Sequence, residues 1–432
     1  MHRGQIIDYL ITVYLDYLLH CDSELLLENR RIVSDLYLFL CVMCLSLYLM
    51  LSLRFTFQAD LSELLGLKDY MGVMYFITLA EKVVPVSDEH IKVTEETFDG
   101  VEVVLYQPKQ RGGDTELSRA VIYLHGGGWC LGSSRKLIGM SPYDLLARTL
   151  VTELDAVVLS VEYRLAPAHH FPVPYEDVYR VVKHFLQKGV LAKYSVDPGR
   201  IAVSGDSAGG NLAAAVSQQV LNAILMSQRK GNNFTSAQAL IYPVLQALDL
   251  NTPSYQQNQD MPILPRTLMV RFWSEYFTSD KALFRAMMDN THNNPESSSL
   301  LKFVNWSAFL PETYHRKYNY SAPAVMQGVG GEGVGMDGPA QSIADPRASP
   351  LLVPDSALRS LPKAYILTCE YDVLRDDGIM YVTRLRSAGV EVTHEHYDTG
   401  FHGGLMFTVW PTDFLIARRM TNNYIKWLEE NL

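Results

Sequence analysis

From about residue 90 onward, short apolar runs alternate with longer stretches in which apolar positions recur every three or four residues. The runs IKVTEETF, VEVVLYQP, AVIYLHG, AVVLSVEY, RIAVSGD, AQALIYPV, KAYILTCEYD and VEVTHEHYD read as strands. Helical spacing falls on Tyr143–Leu154, Tyr175–Lys188, Ala208–Met226, Asp376–Ala388 and Thr412–Glu430. Strands that take turns with helices predict an α/β class with a mainly parallel sheet covered on both faces. The first two strand runs have no helix between them, which suits an antiparallel edge.

The alternation fails between Asp249 and Pro323, where aromatic and polar helical material such as LMVRFWSEYF and LLKFVNWSAFL takes over. This stretch reads as a helical cap inserted over one end of the sheet, joined there by the amphipathic stretch Leu61–Val84. Gly328–Gly333, GVGGEG, fits G-x-G-x-x-G by letter. It neither follows a strand nor opens a helix, so it reads as a loop and not as a dinucleotide site.

One segment departs from the globular pattern. Leu36–Leu53, LYLFLCVMCLSLYLMLSL, is eighteen residues without a charge. At 1.5 Å per residue it nearly matches a hydrocarbon layer of about 30 Å and reads as a transmembrane signal anchor; the plainer alternative is a buried core helix. It begins too far into the chain, and lacks the small-residue cleavage site, to be a removable signal. The expected organisation is a tail over 1–35, the anchor over 36–53, a linker and cap helix over 54–90, and a catalytic domain over 91–432 with its cap insertion at 249–323.

Composition adds limits. With 48% hydrophobic and 19% charged residues the chain is globular, and a net charge of −10 offers nothing to nucleic acid phosphates. Basic residues flank both sides of the apolar span (Arg30 and Arg31, Arg54 and Lys68), so charge does not orient it. The sequons at Asn233, Asn305 and Asn319 all follow the span and favour a cytosolic tail with the bulk of the chain in a secretory lumen. Of five cysteines only Cys130 and Cys369 follow the span. An oxidising lumen would let them form a disulfide, the alternative being two buried thiols.

The chemistry gathers at strand ends. Gly205-Asp206-Ser207-Ala208-Gly209 is G-x-S-x-G between a strand run and an alanine-rich helical run. Glycines on both sides permit a turn sharp enough to raise the serine oxygen clear of the sheet, and the helix aims its N–H groups at the same place. His125-Gly126-Gly127-Gly128 ends another strand run. Its bare N–H groups, at Gly126, Gly127 and Gly128, are with that of Ala208 candidate oxyanion donors, and two of the glycines are expected to serve. A serine needs a base and a group that orients it. His402, between strand and glycine in TGFHGG, is the base chosen; His394 and His396 alternate along the strand as packing or surface residues. Asp372, just beyond KAYILTC, is the acid chosen, while Asp376 and Asp377 are assigned to capping the helix they begin. The order Ser207, Asp372, His402 is that of α/β-hydrolases. Arg164 is read as a structural ion-pair residue and Glu176 and Asp177 as first-turn acids.

These motifs, with YRLAP at Tyr163–Pro167, GDSAGGNLAAAV at Gly205–Val216, LMVRFWSEYFT at Leu268–Thr278 and YDVLRDDG at Tyr371–Gly378, resemble the hormone-sensitive-lipase-type α/β-hydrolases. Within that group the resemblance is to the arylacetamide deacetylase-like branch, over about Leu61–Leu432. It implies the α/β-hydrolase fold and a single-pass protein of the endoplasmic reticulum membrane, type II, with a lumenal catalytic domain. It also implies Ser207, Asp372 and His402 as the triad, with the H-G-G-G backbone donating to the oxyanion. The family's anchor usually starts at the beginning of the chain, whereas about 35 residues precede it here. The expected reaction is hydrolysis of lipophilic carboxylic esters and amides through an acyl-serine, aryl esters and acylglycerols included. An acyltransferase and a non-catalytic ligand-binding protein are the alternatives on the same fold. No cofactor is called for, and no H-E-x-x-H helix offers a zinc site.

Overall fold

The computed structural model describes residues 59–432, apart from parts of 60–84 and the segments 110–116, 134–140, 222–235, 326–341 and 410–412. The apolar run 36–53 and Asn233 lie outside the described residues. Among the described residues, no helix is long and apolar enough to cross a membrane.

Two compact units divide the chain. The larger, Glu81–Gly403 with Tyr424–Leu432, carries the sheet. In chain order it holds β1 (Ile91–Phe98), β2 (Val101–Pro108), β3 (Ser118–Leu124), α1 (Pro142–Leu154), β4 (Val157–Val161), α2 (Val173–Phe185) and β5 (Val196–Asp206). There follow α3 (Ala208–Val216), β6 (Ser236–Ile241), α4 (Arg266–Phe277), β7 (Ala364–Tyr371), α5 (Arg375–Ser387) and β8 (Val392–Phe401). The last helix, α6 (Leu415–Asn431), ends the chain. In the smaller unit, the described part of Met1–Ala80 with Gly404–Asn423, Ala59, Tyr70 and Met71 are buried and Leu61, Leu65 and Leu67 exposed.

Among the described residues, eight strands form one sheet in the order β1-β2-β4-β3-β5-β6-β7-β8. β1 pairs with β2, and β2 with β4, antiparallel; every other pairing is parallel. All eight strand runs of the sequence therefore form strands, and the first two make the antiparallel edge. Burial explains their composition. Every residue of β4, VVLSV, is buried, as a parallel strand covered on both faces requires. β1 lies at the sheet edge and carries exposed polar residues between its buried ends.

The parallel register also sets where the chemistry lies. β3, β5, β7 and β8 end one residue before His125, Ser207, Asp372 and His402 respectively. Four strands pointing the same way deliver these side chains to the carboxyl edge of the sheet, where open α/β sheets bind ligands.

Two expectations are corrected. The helix read over Ala208–Met226 holds α-geometry only to Val216, then passes into a π-turn at Ser217–Leu221. Cys130 and Cys369 are free, buried thiols and form no disulfide. The sheet order is consistent with this: Cys369 is on β7, and Cys130 lies in the loop after β3, a strand three places away, about 14 Å at a strand spacing near 4.8 Å. A disulfide tolerates Cα atoms no further than about 7 Å apart. Burial pushes both thiols well above the usual cysteine range, so neither is an activated nucleophile.

Candidate active site

β5 stops at Asp206 and α3 starts at Ala208, so Ser207 alone makes the corner. Its backbone is left-handed, φ 54° and ψ −118°, a conformation costing about 1–3 kcal/mol for a residue with a side chain. The glycines around it are dictated by contact. A Cβ on Gly205 would stand 2.5 Å from the Leu124 carbonyl oxygen, and one on Gly209 only 1.9 Å from it. Gly209→Ala is therefore expected to destabilise the fold by about 3 kcal/mol or more, read as a lowered melting temperature. Asn211, one helical turn on, donates to the carbonyls of Val244 and Ala348 at 2.9 and 2.7 Å. That clamp fixes α3 beneath the corner.

The three sequence-chosen side chains meet. Ser207 Oγ is 2.9 Å from His402 Nε2, and His402 Nδ1 is 2.8 Å from Asp372 Oδ2. A carboxylate only accepts, so Nδ1 carries the proton and Nε2 is left to accept from the serine hydroxyl. Asp372 is 1% exposed, and its other oxygen accepts the Leu374 N–H at 2.8 Å. The Tyr242 ring packs 4.8 Å from the imidazole, tilted by 57°.

The acid loop has outside support. Asn258 donates to the carbonyls of both Glu370 and Asp372 at 2.9 Å. Gln257 reaches Glu370 at 3.1 Å, and the Ser254 hydroxyl donates to the Val373 carbonyl at 2.6 Å. Asp376 and Asp377 belong to this clamp, which corrects their reading as caps. Asp376 accepts the N–H of Ser254, and Asp377 accepts the Leu245 N–H and the Gln246 amide. Both are fully buried at the start of α5, facing the segment after β6. Burial pushes the Asp377 carboxyl up to about 7.

Beside the serine lies the glycine loop after β3. Gly127 and Gly128 have φ of 105° and 61°, which glycine adopts without strain. Among the described residues, the N–H groups of Gly127, Gly128 and Ala208 have no hydrogen-bond partner. Gly126 differs. Its N–H already points to Asp206 Oδ1 and to the Tyr143 hydroxyl, each at 3.0 Å, so it is withdrawn from the set of donors. His125 stands outside the triad: its ring stacks on Tyr163 at 4.3 Å, and Nδ1 lies 2.8 Å from the Gly126 carbonyl.

Aromatic packing ties α4 to this loop. The Phe272 ring covers Gly128, where a Cβ would come within 2.2 Å of it. Trp129 stacks on Tyr276 at 4.2 Å and 6° and meets Trp273 at 4.5 Å. Apart from the LMVRFWSEYFT motif, periodicity gave no sign of this contact, because it joins residues more than 140 apart.

The remaining candidates fall elsewhere. His394 and His396 both bond Thr368 Oγ1, at 2.8 and 2.9 Å, as packing residues of β8. Arg164 makes a two-pronged ion pair with buried Asp177 at 2.9 and 2.7 Å, a structural role. Asn305 is half-buried, with Oδ1 accepting the Ser307 hydroxyl at 2.7 Å, and Asn319 is exposed. Among the described residues no group of three or more His, Cys, Asp or Glu could hold a metal ion.

Comparison with known proteins agrees with this geometry. A family model described as the alpha/beta hydrolase fold matches residues 121–303 and 313–406. Arylacetamide deacetylase of Oryctolagus cuniculus is 48% identical over 371 residues, covering 86% of this chain and 88% of the relative. Neutral cholesterol ester hydrolase 1 of Bos taurus is 46% identical over 378 residues, 87% and 89% of the two chains. Among solved structures, a thermostable esterase from Pseudomonas putida superposes with a TM-score of 0.58 at 25% identity, covering 84% of this chain and 89% of that one. An esterase from Pyrobaculum calidifontis gives 0.54 at 27% identity, covering 83% and 90%. The chain belongs to the α/β-hydrolase fold family, among the arylacetamide deacetylase-like serine hydrolases.

Proposed function

We propose that this chain hydrolyses lipophilic carboxylic esters and amides through an acyl-serine intermediate. The observation that carries the reading is the unbroken hydrogen-bond line from Ser207 through His402 to Asp372. As Ser207 Oγ attacks the substrate carbonyl carbon, its proton passes to His402 Nε2, and Asp372 stabilises the imidazolium that forms. The carbonyl oxygen becomes an oxyanion, for which the N–H groups of Gly127, Gly128 and Ala208 are the donors without other partners. His402 then returns the proton to the departing alcohol or amine. Water, deprotonated by the same base, releases the acid and restores the serine.

The arylacetamide deacetylase and cholesterol ester hydrolase relatives support an apolar acyl or alcohol group. Aromatic residues of α4 beside the glycine loop support it independently. We assign 249–323 the role of a helical cap. We assign 36–53 that of a signal anchor in the endoplasmic reticulum membrane, with the catalytic domain lumenal and glycosylation open at Asn233, Asn305 and Asn319.

A fluorophosphonate probe applied to membranes from cells making the protein is expected to label the peptide containing Ser207. Labelling mapped to another residue would overturn the assignment. For the topology, an endoglycosidase-sensitive mass shift is expected and should vanish when the sequon asparagines become Gln; protease-accessible catalytic domain in sealed microsomes would refute the lumenal placement.

A further inference from the structure

The second residue of the G-x-S-x-G corner, Asp206, has no part in the proton relay, yet it is almost as enclosed as the triad acid. It is 3% exposed, and its carboxylate accepts from three groups. Oδ1 receives the Tyr123 hydroxyl at 3.1 Å and the Gly126 N–H at 3.0 Å. Oδ2 receives the Tyr143 hydroxyl at 3.2 Å, and that hydroxyl accepts from the same Gly126 N–H at 3.0 Å. A small closed ring results, joining β3, the glycine loop, α1 and the end of β5. The carboxylate also lies hard against Gly126, where a Cβ would come within 2.4 Å of Oδ2.

We propose that Asp206 is a positioning residue that aims the oxyanion loop, fixing the Gly126 peptide so that the next two N–H groups converge on the developing charge. The proposal rests on the reading of Ser207 and the glycine loop given above. The physical reason is that Gly127 and Gly128 have wide conformational freedom and no hydrogen bonds of their own through N–H. Left to themselves they would lose directional precision, and preorganised donors owe their effect to not having to reorganise. A buried negative charge beside an oxyanion is itself unfavourable. Here it is stabilised by three neutral donors and also faces His402, where positive charge forms in the same transition state.

The ionisable groups around Asp206 are Tyr123 on β3, Tyr143 on α1, Tyr163 after β4, Tyr242 after β6, Tyr424 on α6 and His402 after β8. Burial raises every one of these tyrosine hydroxyls above the ordinary range, so they stay protonated as donors. Burial also raises the Asp206 carboxyl to about 6, against the opposing pull of its donors. The sign follows. Above about pH 6 the carboxylate accepts from all three; below it, a protonated oxygen confronts hydroxyl donors and the ring loosens.

The test compares Asp206→Asn with wild type and Ser207→Ala, using a short-chain aryl ester and an aryl trifluoromethyl ketone. The ketone forms a hemiketal: the Ser207 Oγ–carbon bond forms, the serine proton moves to His402, and the ketone oxygen takes the negative charge. Asp206→Asn should lower kcat and ketone affinity together, each by about 10- to 100-fold, with KM nearly unchanged. In acid, log kcat/KM of wild type should show a step near pH 6 no larger than the loss seen in Asp206→Asn, and the variant should lack that step. A purely structural role would not couple these readouts. Unchanged kcat and ketone affinity in Asp206→Asn, beside an inactive Ser207→Ala, would overturn the positioning role and leave the nucleophile standing. An active Ser207→Ala would instead overturn the nucleophile. Should Asp206→Asn lose its cooperative melting transition, Tyr143→Phe decides: the same two quantities should fall together, by less, and constancy of both overturns the proposal.

Discussion

Ser207→Ala is expected to yield a folded protein whose ester hydrolysis has fallen by at least about 10⁴-fold, to the level set by substrate binding and the oxyanion donors alone. The loss is large because the hydroxyl is the only atom at the corner able to form the acyl bond, 2.9 Å from its base. The fold should survive. Alanine keeps the Cβ, and the backbone contacts of residue 207, its N–H to the Ile241 carbonyl and its carbonyl to Asn211, do not involve the side chain. Steady-state turnover with an aryl ester, alongside a melting curve superposable on wild type, checks both halves. Turnover within tenfold of wild type would remove Ser207 from the mechanism.

Asp372→Asn should lower kcat by about 10⁴-fold near neutral pH with little change in KM. The geometry indicates how. One carboxylate oxygen accepts the Leu374 N–H and the other accepts from His402 Nδ1. An asparagine has a single acceptor oxygen, which the fixed Leu374 amide claims. Its NH₂ then faces Nδ1, which must give up its proton and become the acceptor. The imidazole is driven into the tautomer with hydrogen on Nε2, where it can no longer take one from the serine. Nitrogen NMR of the imidazole should report that switch, and a variant that keeps both tautomer and rate would show that orientation by Asp372 is dispensable.

Local pattern carried the fold a long way. The inner strand runs could be recognised because a parallel strand buried on both faces leaves a short continuous apolar signature, and VVLSV has one; β1 and β8, at the sheet edges, carry polar residues between apolar ones. The places of Ser207 and Asp372 followed from the same signature, and that of His402 from the alternating edge strand β8, since each directly follows a strand. What escaped depends on which strands become neighbours. The separation of Cys130 from Cys369 needs the order across the sheet, which no single run encodes. The engagement of Gly126 by Asp206 and Tyr143 joins three elements, and its only local trace is a carboxylate placed beside a nucleophile. Asp376 and Asp377 looked like cap residues because acidic residues at a helix start usually serve their own helix. Their burial under the chain after β6 diverts them to other donors.

The clamp on the acid loop bears on anyone who would exchange substrate-recognition segments between relatives. Residues 254–258, at the front of the stretch between β6 and β7, hold the backbone of 370–373 in place. A graft cut at Asp249 would import a foreign tether for Asp372 and confound altered selectivity with a dislodged carboxylate. A junction placed after Asn258 keeps the native tether and transplants only what lies beyond it.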